Sequence, residues 1–242
     1  DFGKKCDAVG KGLSTAGRAL TTTVTTPVLA LGATAIKASL DFESTFTSVR
    51  KTVDATEAEF DALAVSSKAM STQIAASTGE INEVMATAGQ LGIRNDYLVD
   101  FARTMIDLGN STDIVANEAA STLAKFANIT HMDQSRFGNL GATLVDLGNN
   151  FATTESSIME MSLRLAAAGH QVGLSEAQIL GFAAALSSVG IEAEMGGSAF
   201  SKALVKMEVA AATGGESLED FARVSGMTAE GFKALWDSDP AA

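Results

Sequence analysis

The chain has 242 residues, 29 acidic against 17 basic for a net charge of −12, and 46% apolar residues. That apolar share is too high for a disordered chain. One cysteine cannot form an internal disulfide, one cysteine with two histidines cannot build a Cys/His zinc site of four protein ligands, and the acidic balance lacks the footprint of a duplex-DNA binder.

Forty-two alanines against two prolines favour helix along the whole length. The chain starts at Asp1 without an initiator methionine or a signal-peptide pattern, and it ends on Asp239-Pro240-Ala241-Ala242 without a terminal cap. It is expected to be a segment of something longer.

Residues 1–40 read as a weakly apolar, Thr/Ala-rich lead-in. Ala19 to Ile36 carries no charge, but six threonines, Pro27 and Gly32 interrupt it. Thr26 as N-cap with Pro27 at the first helical position fits a helix start better than a membrane span, which needs about 20 mainly apolar residues. A membrane-interacting or pore-forming module remains the alternative reading of this run.

Residues 41–76 form a helical arm. Phe42, Phe46, Val49, Val53, Thr56, Phe60, Leu63, Ser67, Met70 and Ile74 step by four and three, a heptad seam with polar interruptions at Thr56 and Ser67. Thr56 with Glu59 also forms a capping box that would restart the helix after Asp54. The apolar members Phe42, Phe46, Val49, Val53, Phe60, Leu63, Met70 and Ile74 are the candidate helix–helix or partner seam. Pairing with another copy and folding back on the core both satisfy it.

Residues 77–212 read as a compact core of short amphipathic helices. Ser77 and Glu80 box the first, whose apolar face Ile81, Val84, Met85, Ala88 and Leu91 ends at Gly92. The second starts at Asn95 or Asp96 and buries Leu98, Phe101, Met105 and Leu108 before Gly109. The third carries Val115, Ala119, Leu123 and Phe126; the fourth, Phe137, Leu140, Leu144 and Leu147, ends at Gly148. The fifth starts near Thr154 and buries Ile158, Met161 and Leu165. Ser175 and Gln178 box the sixth, with Leu174 and Ile179 placed as a hydrophobic staple and Gly190 at its end. The seventh shows Phe200, Leu204 and Met207.

Gly92, Gly109, Gly148 and Gly190 each follow an apolar residue and are expected to close helices in the left-handed conformation. Met105 to Asn110 and Leu144 to Asn149 are alike, which reads as convergent cap chemistry rather than a solenoid, since two copies are too few. Residues 213–242 form a short helical pair, with Leu218, Phe221 and Val224 before Gly226, then Thr228 capping a helix with Phe232, Leu235 and Trp236. No strand-like alternation competes, so the fold class is all-α: a long N-terminal helical arm, a bundle of six or seven short helices and a C-terminal two-helix element.

No catalytic, cofactor-binding or metal-binding residues emerge. His131 and His170 lie in polar turns and Cys6 has no histidine beside it. Glu192 and Glu194, two apart, read as solvated rather than as paired carboxylates. Gly196-Gly197-Ser198 lacks the lysine of a phosphate loop, and HExxH, GxSxG and CxxC are missing. The reading is a non-enzyme without cofactors, and composition alone also allows a generic helical adaptor.

Pro27 to Ala33, Asp41 to Ser44, Val49 to Lys51, Ala88 to Ile93, Ala166 to Gly169, and above all Gly190 to Phe200 resemble, in order, the core of the tail tape-measure proteins of long-tailed bacteriophages and prophages. Phe221 to Phe232, with Leu235 and Trp236, is similar to the segment after that core. The resemblance covers Pro27 to Ala242. It departs at Met195-Gly196-Gly197, where alanine-glycine-threonine is expected. It implies a virion structural protein that sets tail length during assembly, occupies the lumen of the tail tube and leaves ahead of the DNA at infection. Implied partners are other copies of the chain, the tail-tube protein, tail assembly chaperones and tail-tip or baseplate proteins. The host membrane is a further candidate, and no specific nucleic-acid binding is expected. The implied locations are the tail lumen and, during assembly, the host cytoplasm. The family's core has no catalytic residues to carry over.

Overall fold

Hydroxyl side chains fix many of the helix starts. Thr56, Ser77 and Ser175 each accept from the backbone N–H three residues on, while Glu59, Glu80 and Gln178 reach back to the cap N–H, so all three capping boxes close. The computed structural model describes residues 15, 18 and 26–242, of which 26–38 by backbone alone. Ala19 to Thr25, the first part of the uncharged run, and the side chains that would cap at Thr26 therefore lie outside the described residues.

Among the described residues there are eleven α-helices and no strand, which bears out the all-α reading. They are α1 (Thr26–Thr52), α2 (Glu57–Met70), α3 (Thr78–Gln90), α4 (Asn95–Ser111), α5 (Ala116–Thr130), α6 (Phe137–Asn150), α7 (Glu155–Gln171), α8 (Glu176–Ser188), α9 (Ser198–Thr213), α10 (Glu216–Val224) and α11 (Ala229–Ser238). A 3₁₀ turn (Gln134–Arg136) leads into α6 and a π turn (Ala193–Gly197) leads into α9. No described helix is long and apolar enough to cross a membrane.

The chain divides into two compact units, Asp1–Thr47 and Ser48–Ala242, with the division inside α1. In the first unit the Phe42 and Phe46 rings stack at 5.3 Å, and both side chains are buried.

The second unit is a stack of helical hairpins. The odd helices α3, α5, α7 and α9 each pack on the next odd helix, and the even helices α2, α4, α6 and α8 do the same. Contacts between the layers run mainly from each helix to its chain neighbour. Packing is therefore local in sequence, as in repeat proteins whose hairpins cannot bury an apolar face alone.

The two central hairpins, α4–α5 and α6–α7, repeat at one pitch, the step in sequence from Met105 to Leu144. Helices α4 and α6 end on extended caps at Thr112 and Phe151, whose N–H groups donate to Leu108 O and Leu147 O at 2.9 Å. The next helices are capped at Val115 and Thr154. Side chains at the same pitch share the core: Phe101, Leu140 and Ile179 are buried, as are Met105, Leu144 and Ala183, and Ala88, Ala127 and Ala166. The likeness of Met105–Asn110 to Leu144–Asn149 thus marks equivalent helices of successive hairpins. This corrects the reading of convergent caps.

Two of the four predicted helix-closing glycines behave as expected. Gly92 and Gly190 have φ of +84° and +78°. Gly109 and Gly148 do not close helices, because α4 and α6 run on to Ser111 and Asn150. Their role is close approach. A Cβ on Gly109 would come 2.8 Å from Ala116 N, and one on Gly148 would overlap the Glu155 side chain. Each glycine admits the start of the following helix.

The C-terminal pair α10 and α11 packs on α9. Trp236 Nε1 donates to Glu208 at 2.7 Å, and Lys233 Nζ donates to Ala211 O at 2.7 Å. The first tie gives the buried indole its acceptor, and the second gives a donor to a carbonyl at the end of α9.

Candidate functional site

The seam residues sit in two settings. Phe42 and Phe46 lie in the first unit, as described. Of the rest, Val49, Val53, Phe60, Leu63 and Met70 are buried and Ile74 is half-buried. The four-and-three spacing continues in sequence through residues 53–56, but the helix breaks there, so the seam belongs to two helices rather than one coil. The Arg50 guanidinium ties them, lying 4.7 Å from the Phe60 ring centroid and bonding the Glu57 carboxylate at 2.9 Å. Val53 packs on Gly89, where a Cβ would come within 2.5 Å of Val53 Cγ2. In the turn, Asn95 Nδ2 donates to Asp54 O at 2.8 Å. Within the second unit the buried members of the seam therefore lie on two consecutive helices.

Ser67, which reads as a defect in the seam, is fully buried and donates to Asn82 Oδ1 of α3 at 2.6 Å. No buried side-chain nitrogen or oxygen among the described residues lacks a partner. The pair fixes the register of α2 on α3 with a hydrogen bond that an apolar pair would not supply.

A concavity opens on the odd layer among the described residues. A cleft of about 1000 Å³ is lined from α5 by Lys125, Asn128 and Ile129, and from α7 by Ser157, Glu160, Leu163 and Arg164. The end of α8 supplies Ser187, and the connection from α8 to α9 supplies Gly190 to Glu194. One wall is Gly190 to Glu194, the first part of the stretch of greatest sequence resemblance. That stretch stands close to α7 because glycine leaves room: a Cβ on Gly197 would meet Arg164 Cβ at 2.7 Å and Met161 Sδ at 3.1 Å, and one on Gly196 would overlap Ile191. Ser201 Oγ fastens the start of α9 by donating to Arg164 O at 2.8 Å.

Lys125 and Arg164 stand one pitch apart, at the same register of adjacent odd helices. With Glu160, Glu192 and Glu194 they give the cleft two cations and three carboxylates, none ion-paired among the described residues. Glu192 and Glu194, read from sequence as merely solvated, are thus rim groups of a cleft. Sequence reasoning missed Lys125 and Arg164; the signal was the pitch that relates Met105 to Leu144. The cleft's hydroxyls, Ser157 and Ser187, have no histidine beside them among its lining residues. The arrangement offers charge and hydrogen bonding to a partner, not an activated nucleophile.

The carboxylates with displaced pKa values lie at helix starts. Glu59 and Glu80 are held below the usual range by the backbone N–H groups and hydroxyls of Thr56 and Ser77. Asp133 is lowered by the hydroxyl and N–H of Ser135. At Asp113 burial pushes upward, but the Ser156 hydroxyl and N–H, from the start of α7, outweigh it and lower the value. These shifts report capping. No cluster of three or more His, Cys, Asp or Glu is gathered among the described residues.

Comparison with known proteins places this architecture. Residues 65–238, from within α2 to the end of α11, match the family described as phage-related minor tail protein. A "Probable tape measure protein" of Halomonas phage phiHAP-1 is 26% identical over 201 residues, covering 76% of this chain and 23% of that protein. The chain therefore spans about a quarter of the length of that relative. No solved structure matches the chain.

Proposed function

The chain belongs to the phage-related minor tail protein family, and from that premise we propose that it is a segment of a tail tape measure: a structural protein of the virion tail that lies in the tube lumen, helps set tail length during assembly and leaves ahead of the DNA. The observation that carries the reading is the extent of the match, which runs over nearly the whole hairpin stack together with the C-terminal pair. The tape-measure relative and the ordered sequence resemblance support it.

The geometry supports a particular part for this segment in that role. A single α-helix gains about 1.5 Å per residue, so a helix of about 40 residues spans about 60 Å. Stacked helices are about 10 Å apart, so a hairpin of about 40 residues advances a stack by only about 10 Å. The stack is a poor ruler and a good node. In this reading the extended parts of the full-length protein measure the tail, and the node presents the odd-layer cleft to another tail component. The net charge of −12 suits a protein that shares a channel with DNA and must not hold it.

In-frame deletions in the full-length gene, with tail lengths measured by electron microscopy, test this. Removing helical residues outside this segment should shorten tails by about 1.5 Å per residue. Removing one hairpin here should either stop assembly or change tail length by about 10 Å. Tails of unchanged length after both kinds of deletion would overturn the reading.

A further inference from the structure

The two histidines of this 242-residue chain meet in the structure. His131 follows α5, and His170 lies in the last turn of α7; they stand one pitch apart, and their ring centroids are 5.2 Å apart with planes at 66°. Helices α5 and α7 pack on one another, so the contact joins two successive hairpins at the same corner. Both side chains are exposed, and neither ring has a hydrogen bond or ion pair among the described residues.

The backbone adds a second observation. His131 is the sole described non-glycine residue with positive φ, at +53°. The corners after α3 and α7 place Gly92 (φ +84°) and Gly173 (φ +87°) in the corresponding position. In each case the next residue donates its N–H back into the helix: Ile93 to Ala88, Met132 to Ala127 and Leu174 to Gly169, all at 2.9–3.0 Å. Glycine adopts this conformation without penalty and histidine does not. An imidazole held there at a conformational cost, touching the other imidazole of the chain, points to a use for the ring.

We propose that His131 and His170 form a two-imidazole chelate for a divalent transition-metal ion of the zinc, nickel or copper class, which fastens the α4–α5 hairpin to the α6–α7 hairpin. The distances suit this chemistry. Imidazole nitrogens bind Zn²⁺ at about 2.0–2.1 Å, and two such rings on one tetrahedral ion have centroids about 5 Å apart. The orientation of an exposed imidazole about χ2 is broad, so each ring can turn one nitrogen to the ion. Neutral imidazole selects this class of metal, whereas Mg²⁺ prefers oxygen. Two protein ligands leave the other positions to water.

The test uses the full 242-residue chain with Cys6 alkylated, stripped of metal by chelator and titrated with ZnCl₂, NiCl₂ or MgCl₂. Calorimetry should show one saturable site for Zn²⁺ and Ni²⁺ and none for Mg²⁺. A metal concentration tenfold above half-saturation should raise Tm by about 3–5 °C. His131→Gly relieves the backbone and should fold at least as well without metal, yet lose at least tenfold in affinity together with the Tm rise. His170→Gln should lose the same affinity. The proposal is overturned if no saturable binding occurs up to about 1 mM ZnCl₂, if either variant binds like the parent, or if Mg²⁺ acts equally.

Discussion

The hairpins α4–α5 and α6–α7 are two executions of one plan, and they differ where the plan is tightest. In both, a glycine near the end of the even helix admits the start of the odd helix. Opposite Gly109 the obstacle is backbone, Ala116 N at 2.8 Å and Cα at 3.0 Å; opposite Gly148 it is the flexible side chain of Glu155. In both, the N-cap of the odd helix stands at the same register, yet Thr154 accepts from Ser157 N while Val115, 70% exposed, makes no side-chain cap bond. The difference teaches that the pitch is set by buried apolar positions, while glycine and cap chemistry are adjusted locally to whatever the neighbouring chain presents.

The joint between the even helices offers the largest way to break the pattern. Phe101 of α4 meets Phe137 of α6 edge-on at 4.6 Å and is 1% exposed. Phe101→Ala should cost about 3–5 kcal/mol in urea denaturation, and its register counterpart Leu140→Ala about 2–5 kcal/mol. A loss under about 1 kcal/mol at both would mean that the stack is not held through this layer.

The glycine pair separates next, and with opposite signs. Gly109→Ala should cost about 1–3 kcal/mol, because the backbone of Ala116 cannot move aside cheaply. Gly148→Ala should be neutral or stabilising by up to about 1 kcal/mol, since the carboxylate arm of Glu155 can swing away and alanine is the better helix former. Equal effects at the two sites would show that they are not the same corner.

The caps give a smaller contrast. Val115→Thr should stabilise by about 0.5–1 kcal/mol by supplying the acceptor that α5 lacks, and Thr154→Ala should cost about 1 kcal/mol. The midpoints of thermal melts of the two variants should therefore move in opposite directions.

How much of this was legible in the sequence follows from the range of the interactions. Ser77 with Glu80 and Ser175 with Gln178 were read correctly because a capping box is closed within four residues. The helix faces were legible for the same reason: Leu98, Phe101 and Met105 share a side whatever they pack against. The role of Ser67 in the seam was not legible because the acceptor that satisfies its buried hydroxyl, Asn82, lies on another helix. Gly109 and Gly148 were misread because sequence does not distinguish a glycine needed for its φ from one needed for its missing Cβ. The cleft was invisible because Lys125 and Arg164 become neighbours only when α5 packs on α7. The recurrence of Leu108-Gly109-Asn110 as Leu147-Gly148-Asn149 was the available clue to the pitch, and it stood in only two copies.

The finest contrast concerns charge. Asp113, between α4 and α5, accepts from Ser156 N at 3.1 Å and Ser156 Oγ at 2.5 Å, so a carboxylate from one hairpin caps the start of α7 in the next. The residue at the same register one pitch later is Ala152, which has no such group. Because the folded-state pKa of Asp113 is lowered, its contribution is present above the unfolded value near 3.9 and is lost as pH falls through the lower folded value. Asp113→Asn should therefore be less stable than the parent at pH 6, by no more than about 0.5 kcal/mol because the carboxylate is exposed and screened. The gap should close below pH 4 as the parent protonates. Urea midpoints of both proteins between pH 6 and 3 decide it: a gap that stays constant to pH 3 would show that the tie works through hydrogen-bond geometry alone, with no share for the attraction between the carboxylate and the helix start.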